Sequence, residues 1–154
     1  MSGQQEGHVP RIVAGVDGSP SSIEALRWAV RQAGLTGGTV DAVTGWQFPV
    51  GTGGYGWAPT GMVDGTDYAE AAEKTLTDAI SAAVGPGSDV TIRPLVVQGH
   101  PAQVLLEAAD GADLLVVGSR GHGGFAGALL GSVSQHCVHH ARCPVVVIRG
   151  QVHD

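Results

Sequence analysis

The chain has 154 residues, of which 43% are hydrophobic and 14% charged, and its formal net charge is −6. The length fits one domain, and the composition is that of a globular chain and not a disordered one. A general DNA or RNA binder needs a basic surface, so the charge argues against nucleic acid as a partner. No apolar run approaches the roughly 18 residues that a membrane span needs, which argues against a membrane partner.

The amino-terminal residues and the cysteines bear on compartment. Residues 1–9 are polar, without the apolar stretch of a secretory signal, and we expect a flexible arm there. The two cysteines, Cys137 and Cys143, are too few for a disulfide framework. A cytoplasmic location is the simplest expectation, with residues 10–150 as the domain and 151–154 as a tail.

The first half of the chain predicts a strand, a helix and a second strand. Residues 11–16 are an apolar run typical of a buried strand. The helix that follows has Pro20 near its first turn, Glu24 placed to support a cap, and three serines that could provide it: Ser19, Ser21 and Ser22. Residues 39–46 are rich in β-branched side chains and predict the second strand.

The segment 47–65 is an irregular loop rich in glycine and proline. A loop of this length in a compact domain is usually functional or mobile, and a disordered insertion is the alternative. After it, helices and strands alternate over residues 68–83, 90–97, 102–109, 113–118, 132–141 and 144–149. Pro94 predicts that the third strand lies at a sheet edge, because proline cannot donate to the ladder.

The alternation of strands and helices predicts an α/β fold. We expect a single doubly wound, Rossmann-like domain with a five-stranded parallel sheet flanked by four helices. Ligands of such sheets bind beyond the carboxyl ends of the strands. The first and fourth strands end at Asp17 and Gly118, so these residues would face one crevice if the two strands are neighbours.

A glycine-rich run occupies residues 118–134, between the fourth strand and the fourth helix. Glycines allow backbone N–H groups to approach an anion, and the start of a helix adds unpaired N–H groups and a positive dipole end. Arg120 adds a positive charge, and Ser132 and Ser134 add hydroxyl donors. This combination suits a polyphosphate.

Three commoner motifs fail in this run. A P-loop needs lysine at the helix start, and the only lysine is Lys74. Residues 121–126 approximate a dinucleotide fingerprint, but no acid follows before Asp154 to hold the ribose. A hydrolase elbow around Ser119 has Val117 where its first glycine belongs.

Two simpler interpretations remain beside the nucleotide hypothesis. Asp17 could simply cap the helix that follows it. A metal site is suggested by a cluster late in the fourth helix, but its spacing fits no zinc motif: His136, Cys137, His139, His140 and Cys143. We therefore predict no metal site and no catalytic residue.

The sequence resembles the universal stress protein family, specifically its ATP-binding branch. That branch carries a Gly-x2-Gly-x9-Gly-Ser/Thr pattern, which this chain matches at Gly118, Gly121, Gly131 and Ser132. The resemblance also includes residues 13–19, 113–124 and 143–148, and it extends over about 10–149.

The resemblance implies the strand order 3-2-1-4-5 and a set of nucleotide contacts. Gly15 and Asp17 would lie at the nucleoside, with the Asp17 carboxylate on the ribose. The residues implied along the α-phosphate and phosphate path are Val117, Gly118, Ser119, Arg120, Gly121, His122, Gly123 and Gly124. Those implied at the β- and γ-phosphates are Gly131, Ser132, Val133 and Ser134.

The resemblance further implies an ATP-binding regulatory protein of the stress response, acting through conformation and protein partners that the sequence does not identify. A homodimer through the last strand, residues 145–148, is implied as well. The alternatives are a weak ATPase using Mg²⁺ or Mn²⁺, a cyclic AMP-binding protein, and a dimeric interaction protein that needs no nucleotide. An enzyme is the less favoured interpretation, because no carboxylate in the glycine run could act as a base.

Overall fold

The computed structural model describes residues 8–47, 65–120 and 131–149. These residues form β1 (Arg11–Gly15), α1 (Pro20–Thr36), β2 (Thr39–Trp46), α2 (Gly65–Ala83), β3 (Ile92–Gln98), α3 (Pro101–Ala108), β4 (Leu114–Gly118), α4 (Ser132–His140) and β5 (Val145–Ile148). The α/β alternation predicted from the sequence is confirmed. Most of the predicted loop 47–65, and the residues at both ends of the chain, lie outside the described residues.

The described strands form one five-stranded sheet in the order β3-β2-β1-β4-β5, and all four strand pairings are parallel. This order confirms the expected fold, because it makes β1 and β4 neighbours at the centre. Pro94 lies in β3, an edge strand, as its missing N–H predicts.

The core lies on both faces of this sheet, because successive side chains of a strand point to opposite faces. Ala14 and Val116 belong to the cluster packed against α1 and α2, and both are completely buried. Val13 and Leu115 belong to the cluster packed against α3 and α4, and both are also completely buried. Burial on both faces explains why β4 reads as an unbroken apolar run.

The start of α1 differs in one detail from the sequence-based expectation. Ser19 is the N-cap residue, and its hydroxyl oxygen accepts a hydrogen bond from the Ser22 N–H. Glu24 does not support this cap; it forms an ion pair with Arg27, one helical turn further on. Ser22 instead bonds back to the preceding turn, where its hydroxyl oxygen accepts the Asp17 N–H at 3.2 Å.

A buried ion-pair network lies near the amino ends of the strands. Asp41 on β2 is 2% exposed, and its carboxylate accepts hydrogen bonds from Arg11 at 3.1 Å and from Arg93 at 2.9 and 3.1 Å. Arg11 also donates to the Ala108 carbonyl, at the end of α3. The network therefore connects three strands and one helix at the end of the sheet opposite to the predicted ligand crevice.

Candidate functional site

The candidate site is the edge where the carboxyl ends of β1 and β4 meet. The two strands pair in parallel from Ile12↔Leu114 to Ala14↔Val116. Asp17 follows β1, and Gly118 ends β4, so the structure brings the two predicted halves of the site to one edge of the sheet. This edge is where a doubly wound fold binds its ligands.

Gly118 lies against the first turn of α1. A Cβ atom at this position would lie 2.5 Å from the Ser21 hydroxyl oxygen and 2.8 Å from the Ser22 backbone nitrogen. Glycine is therefore required here by packing within the protein, whether or not a phosphate also approaches. This packing requirement adds to the ligand contact that the family resemblance implies for Gly118.

The backbone beyond Gly118 is held by hydrogen bonds from three directions. The Ser119 N–H donates to the Ile148 carbonyl at 2.8 Å, and the Ser119 carbonyl accepts the Gly131 N–H. The Arg120 carbonyl accepts hydrogen bonds from the Ser21 hydroxyl and, at 3.3 Å, from the Ser19 hydroxyl. The start of α4 is thereby fixed beside the end of β4.

The amino terminus of α4 has no side-chain cap. Gly131 occupies the N-cap position, makes no side-chain hydrogen bond, and is followed by a first turn without an acidic residue. Ser132 is exposed at the first helical position. The first N–H groups of a helix have no partner within the helix and carry the positive end of its dipole, so this terminus suits an anion.

The Ser134 hydroxyl has a hydrogen-bond partner within the protein. The residue is 4% exposed, and its hydroxyl donates to the Gly118 carbonyl. The hydroxyl therefore connects the first turn of α4 to the end of β4. Its backbone N–H, in the first turn of α4, is the group of this residue that fits anion binding.

The nucleoside half of the predicted site is the turn after β1. Asp17 is exposed, and its Oδ1 atom accepts the Ser19 N–H at 2.9 Å, so this carboxylate orders the turn before α1. The cap of α1 is Ser19, and not Asp17 as the simpler interpretation expects. Gly15 is buried against Leu105 of α3, and Val117 is buried in the core. Neither of these two offers a side chain to a ligand.

Four predicted site residues lie outside the described residues: Gly121, His122, Gly123 and Gly124. One residue that the sequence analysis treated only as a possible cap, Ser21, instead contacts the backbone of the glycine run. The sequence signal for Ser21 was that the start of α1 contains three serines, although one serine is enough to cap a helix.

The histidine and cysteine cluster does not form a metal centre in the described part of the chain, where no group of three or more potential ligands converges. The His136 and His140 rings contact each other in a tilted arrangement, with centroids 4.5 Å apart and an angle of 38° between the ring planes. Burial raises the pKa of the Cys137 thiol to about 11, and burial also raises the pKa of Cys143. Both cysteines thus behave as packing residues.

A shallow cleft of about 270 Å³ lies away from this edge, between α3 and the end of α4. Glu107 and Asp110 line one wall, and His140 and Arg142 line the other. These residues immediately precede β4 and β5, so the cleft is at the amino ends of the strands. It is distinct from the crevice that the fold and the glycine run indicate.

The strand order and the crevice at the carboxyl ends of β1 and β4 define a Rossmann-like α/β protein. Residues 8–149 match the model of the universal stress protein family. The chain therefore belongs to the universal stress protein family, as the sequence resemblance indicated.

Curated relatives agree with this assignment. The chain is 38% identical over 144 residues to universal stress protein Rv1996 of Mycobacterium tuberculosis, covering 92% of this chain and 44% of that protein. It is 33% identical over 152 residues to Rv2624c of the same species, covering 99% of this chain and 53% of that protein. The chain thus spans about half the length of the curated relatives it matches.

Solved structures of the family are similar to this chain. A universal stress protein in complex with cAMP has a TM-score of 0.59 at 27% identity, over 93% of this chain and 98% of that one. A universal stress protein from Archaeoglobus fulgidus in complex with dAMP has a TM-score of 0.62 at 25% identity, over 92% and 98%. Family members of this fold therefore include proteins with bound adenine nucleotides.

Within the described residues, no helix is both long enough and apolar enough to cross a membrane.

Proposed function

We propose that this protein binds an adenine nucleotide, with ATP as the first candidate, and acts in the cytoplasm as a regulatory module of the stress response. The observation that carries the proposal is the uncapped amino terminus of α4, fixed next to the ends of β1 and β4 by the hydrogen bond from Gly131 to Ser119. A helix start without a side-chain cap, at this edge of a doubly wound sheet, suits a phosphate.

In the proposed arrangement the two halves of the crevice have different roles. Asp17 and the backbone at Gly15 take the nucleoside, and the carboxylate accepts hydrogen bonds from the ribose hydroxyls. Residues 117–124 follow the phosphates, and residues 131–134 bind them through the first N–H groups of α4 and the exposed Ser132 hydroxyl. Ser134 contributes its N–H only, because its hydroxyl bonds to the Gly118 carbonyl.

A nucleoside monophosphate or cyclic AMP is the second candidate ligand. The relatives solved with cAMP and dAMP support it, and each of these ligands carries one phosphate. ATP would use more of the α4 amino terminus than either. A bound Mg²⁺ or Mn²⁺ would be compatible with ATP, since such ions usually bind through phosphate oxygens and few carboxylates.

Hydrolysis is not part of the proposal. The first turn of α4 contains no acidic residue, and the Asp17 carboxylate is assigned here to the ribose. General-base catalysis needs a group within hydrogen-bonding reach of the attacking water. A nucleotide held at this site would therefore act by changing the conformation or the protein partners of the module.

The test places a negative charge at the start of α4. Ser132→Asp changes an exposed residue at the first helical position, where an acid stabilises the dipole by about 0.3–1 kcal/mol. Folding should therefore be retained, whereas ATP binding should weaken about tenfold or more, because like charges repel. Ser132→Asn is the matched neutral control and should weaken ATP binding much less.

Calorimetric titration with ATP and with adenosine would measure both variants. The proposal expects adenosine affinity to be equal in wild type and Ser132→Asp, because adenosine carries no phosphate. Equal ATP affinity in wild type and Ser132→Asp would contradict it.

We also propose a homodimer through β5. This strand is an edge of the described sheet, and its four apolar residues are only half-buried. The Pro144 and Ile148 carbonyls accept hydrogen bonds from β4, so the backbone groups of these even-numbered residues face β4. Backbone groups alternate in direction along a strand, and the N–H of Val147 therefore points to the open edge. The roughly double length of the curated relatives is consistent with two such domains acting together.

The dimer proposal is tested by Val147→Pro. Proline removes the outward donor while leaving the β4 pairing bonds in place. Analytical ultracentrifugation should show a wild-type dimer at micromolar concentration and a folded monomeric variant. A monomeric wild-type protein, or a variant that still dimerises as tightly, would contradict the proposed interface.

A further inference from the structure

We propose that Ser21 is a positioning residue of the nucleotide site. Its buried hydroxyl holds the Arg120 backbone and so fixes the phosphate half of the crevice relative to the nucleoside half. This inference rests on the proposed function, to which it adds a residue outside the assigned ligand contacts.

The geometry around Ser21 is that of a two-sided clamp. The residue is 6% exposed, its hydroxyl donates to the Arg120 carbonyl, and its oxygen accepts the Arg120 N–H at 3.3 Å. A serine hydroxyl has one donor and two acceptor sites, so both bonds can exist together. Buried hydroxyls with both functions used restrict the group that they contact.

Ser21 is not needed to cap α1. Ser19 already caps the helix by accepting the Ser22 N–H, and Ser22 bonds to the Asp17 N–H and the Ser19 carbonyl. The Ser21 side chain makes its hydrogen bonds to Arg120, 99 residues away in the sequence. Its hydroxyl is thus explained by its contact with the glycine run.

The position of this clamp decides what it can control. The β1–β4 pairing ends at Ala14↔Val116, and the β4–β5 pairing ends at Gly118↔Ile148. Among the described residues beyond those ladders, the hydroxyls of Ser19 and Ser21 connect Arg120 to the α1 turn that follows Asp17. Loss of the Ser21 hydroxyl should therefore loosen the phosphate half more than the nucleoside half.

The experiment compares Ser21→Ala with Thr44→Val in the full chain. Thr44 is a matched control because it is also a buried hydroxyl at this edge, and the hydrogen bond that it donates goes to the Val16 carbonyl at 2.9 Å and not to Arg120. Two measurements are made on the wild type and both variants, at a temperature below the melting temperature of each. They are amide hydrogen exchange at Arg120 and the affinities for ATP and adenosine.

The Arg120 amide should exchange about tenfold faster in Ser21→Ala and at the wild-type rate in Thr44→Val. The ATP dissociation constant should rise about three- to tenfold in Ser21→Ala, the factor that one hydrogen bond supplies, while that for adenosine stays within about twofold. In Thr44→Val the ratio of the ATP affinity to the adenosine affinity should equal that of the wild type, even if the variant is less stable.

Unchanged Arg120 exchange in Ser21→Ala would overturn the clamp. Equal weakening of ATP and adenosine would overturn its role in positioning, since a general loss of structure affects both ligands alike. A wild-type protein that binds neither ATP nor adenosine would contradict the proposed function. It would also overturn the positioning role of Ser21, because there would be no nucleotide site to position. The exchange measurement would still decide whether Ser21 holds the Arg120 backbone.

Discussion

A Cβ atom on Gly118 would lie 2.5 Å from the hydroxyl oxygen of Ser21. Gly118→Ala should therefore destabilise the protein by about 1–3 kcal/mol, the usual effect of overpacking, before any effect on a ligand. The change in unfolding free energy can be measured by urea denaturation. A weaker ATP affinity in this variant would not by itself identify a phosphate contact.

The matched control for this substitution is Gly34→Ala. Gly34 is exposed within α1, and an added Cβ would meet its nearest neighbour, Val90, at an ordinary 3.6 Å. Alanine should stabilise the protein by about 0.5–1 kcal/mol there. Equal effects of the two substitutions would contradict the packing explanation.

Asp17 allows its structural and ligand-binding roles to be separated. Asp17→Asn keeps an oxygen that can accept the Ser19 N–H, so its stability should lie within about 0.5 kcal/mol of wild type. The carboxylate charge is lost, and nucleotide affinity should fall about tenfold, because a hydrogen bond to a charged group contributes roughly 1.5–3 kcal/mol.

Calorimetry with ATP and adenosine checks the Asp17 prediction, and both ligands should weaken alike because both contain the ribose. Asp78→Asn, an exposed change on α2, is the control for the loss of one negative charge. Wild-type affinity in Asp17→Asn would leave this carboxylate with its turn-ordering role alone.

The network around Asp41 should stabilise the fold without affecting the ligand site. Asp41→Ala removes the buried partner of Arg11 and Arg93, and we expect a loss of about 1–3 kcal/mol in urea denaturation. This estimate is below that for a fully buried pair, because the two arginine side chains are 31% and 62% exposed. Arg93→Ala should have a smaller effect, and equal losses would contradict this account.

Cys137 should make stability and thiol reactivity depend on pH. Burial raises its pKa from 9.0 to about 11, so the folded state keeps the proton that an unfolded thiol loses first. This contribution to stability is present below about pH 9 and is lost as pH rises towards 11. At pH 8, a thiol reagent followed by mass spectrometry should modify the partly exposed Cys143 before Cys137. The reverse order would be evidence against the burial.

The fold was predictable because each element has a local signal. The apolar runs of β1 and β4, the helical periodicity of α1 and the proline in β3 are properties of short segments. The parallel arrangement of the strands then follows from the alternation, whereas their order 3-2-1-4-5 was implied by the family resemblance. The burial of β4 on both faces of the sheet, with Leu115 on one face and Val116 on the other, is indicated by the absence of polar residues in this strand.

The detailed roles of the site residues were less predictable, because they depend on contacts between distant segments. Gly118 was read as a ligand contact, and the structure adds a packing requirement from α1. The Ser134 hydroxyl was read as a phosphate donor, but it bonds to a carbonyl of β4. Serine and glycine serve both purposes equally well, so residue type and spacing alone did not distinguish them.

The most direct test of the central claim is a calorimetric titration of nucleotide-free wild-type protein with ATP, repeated with Ser132→Asp. We expect saturable binding of one nucleotide per chain in the wild type, and binding weakened about tenfold or more when the negative charge stands at the start of α4. Absence of saturable binding at millimolar ATP, or equal binding by both proteins, would contradict it.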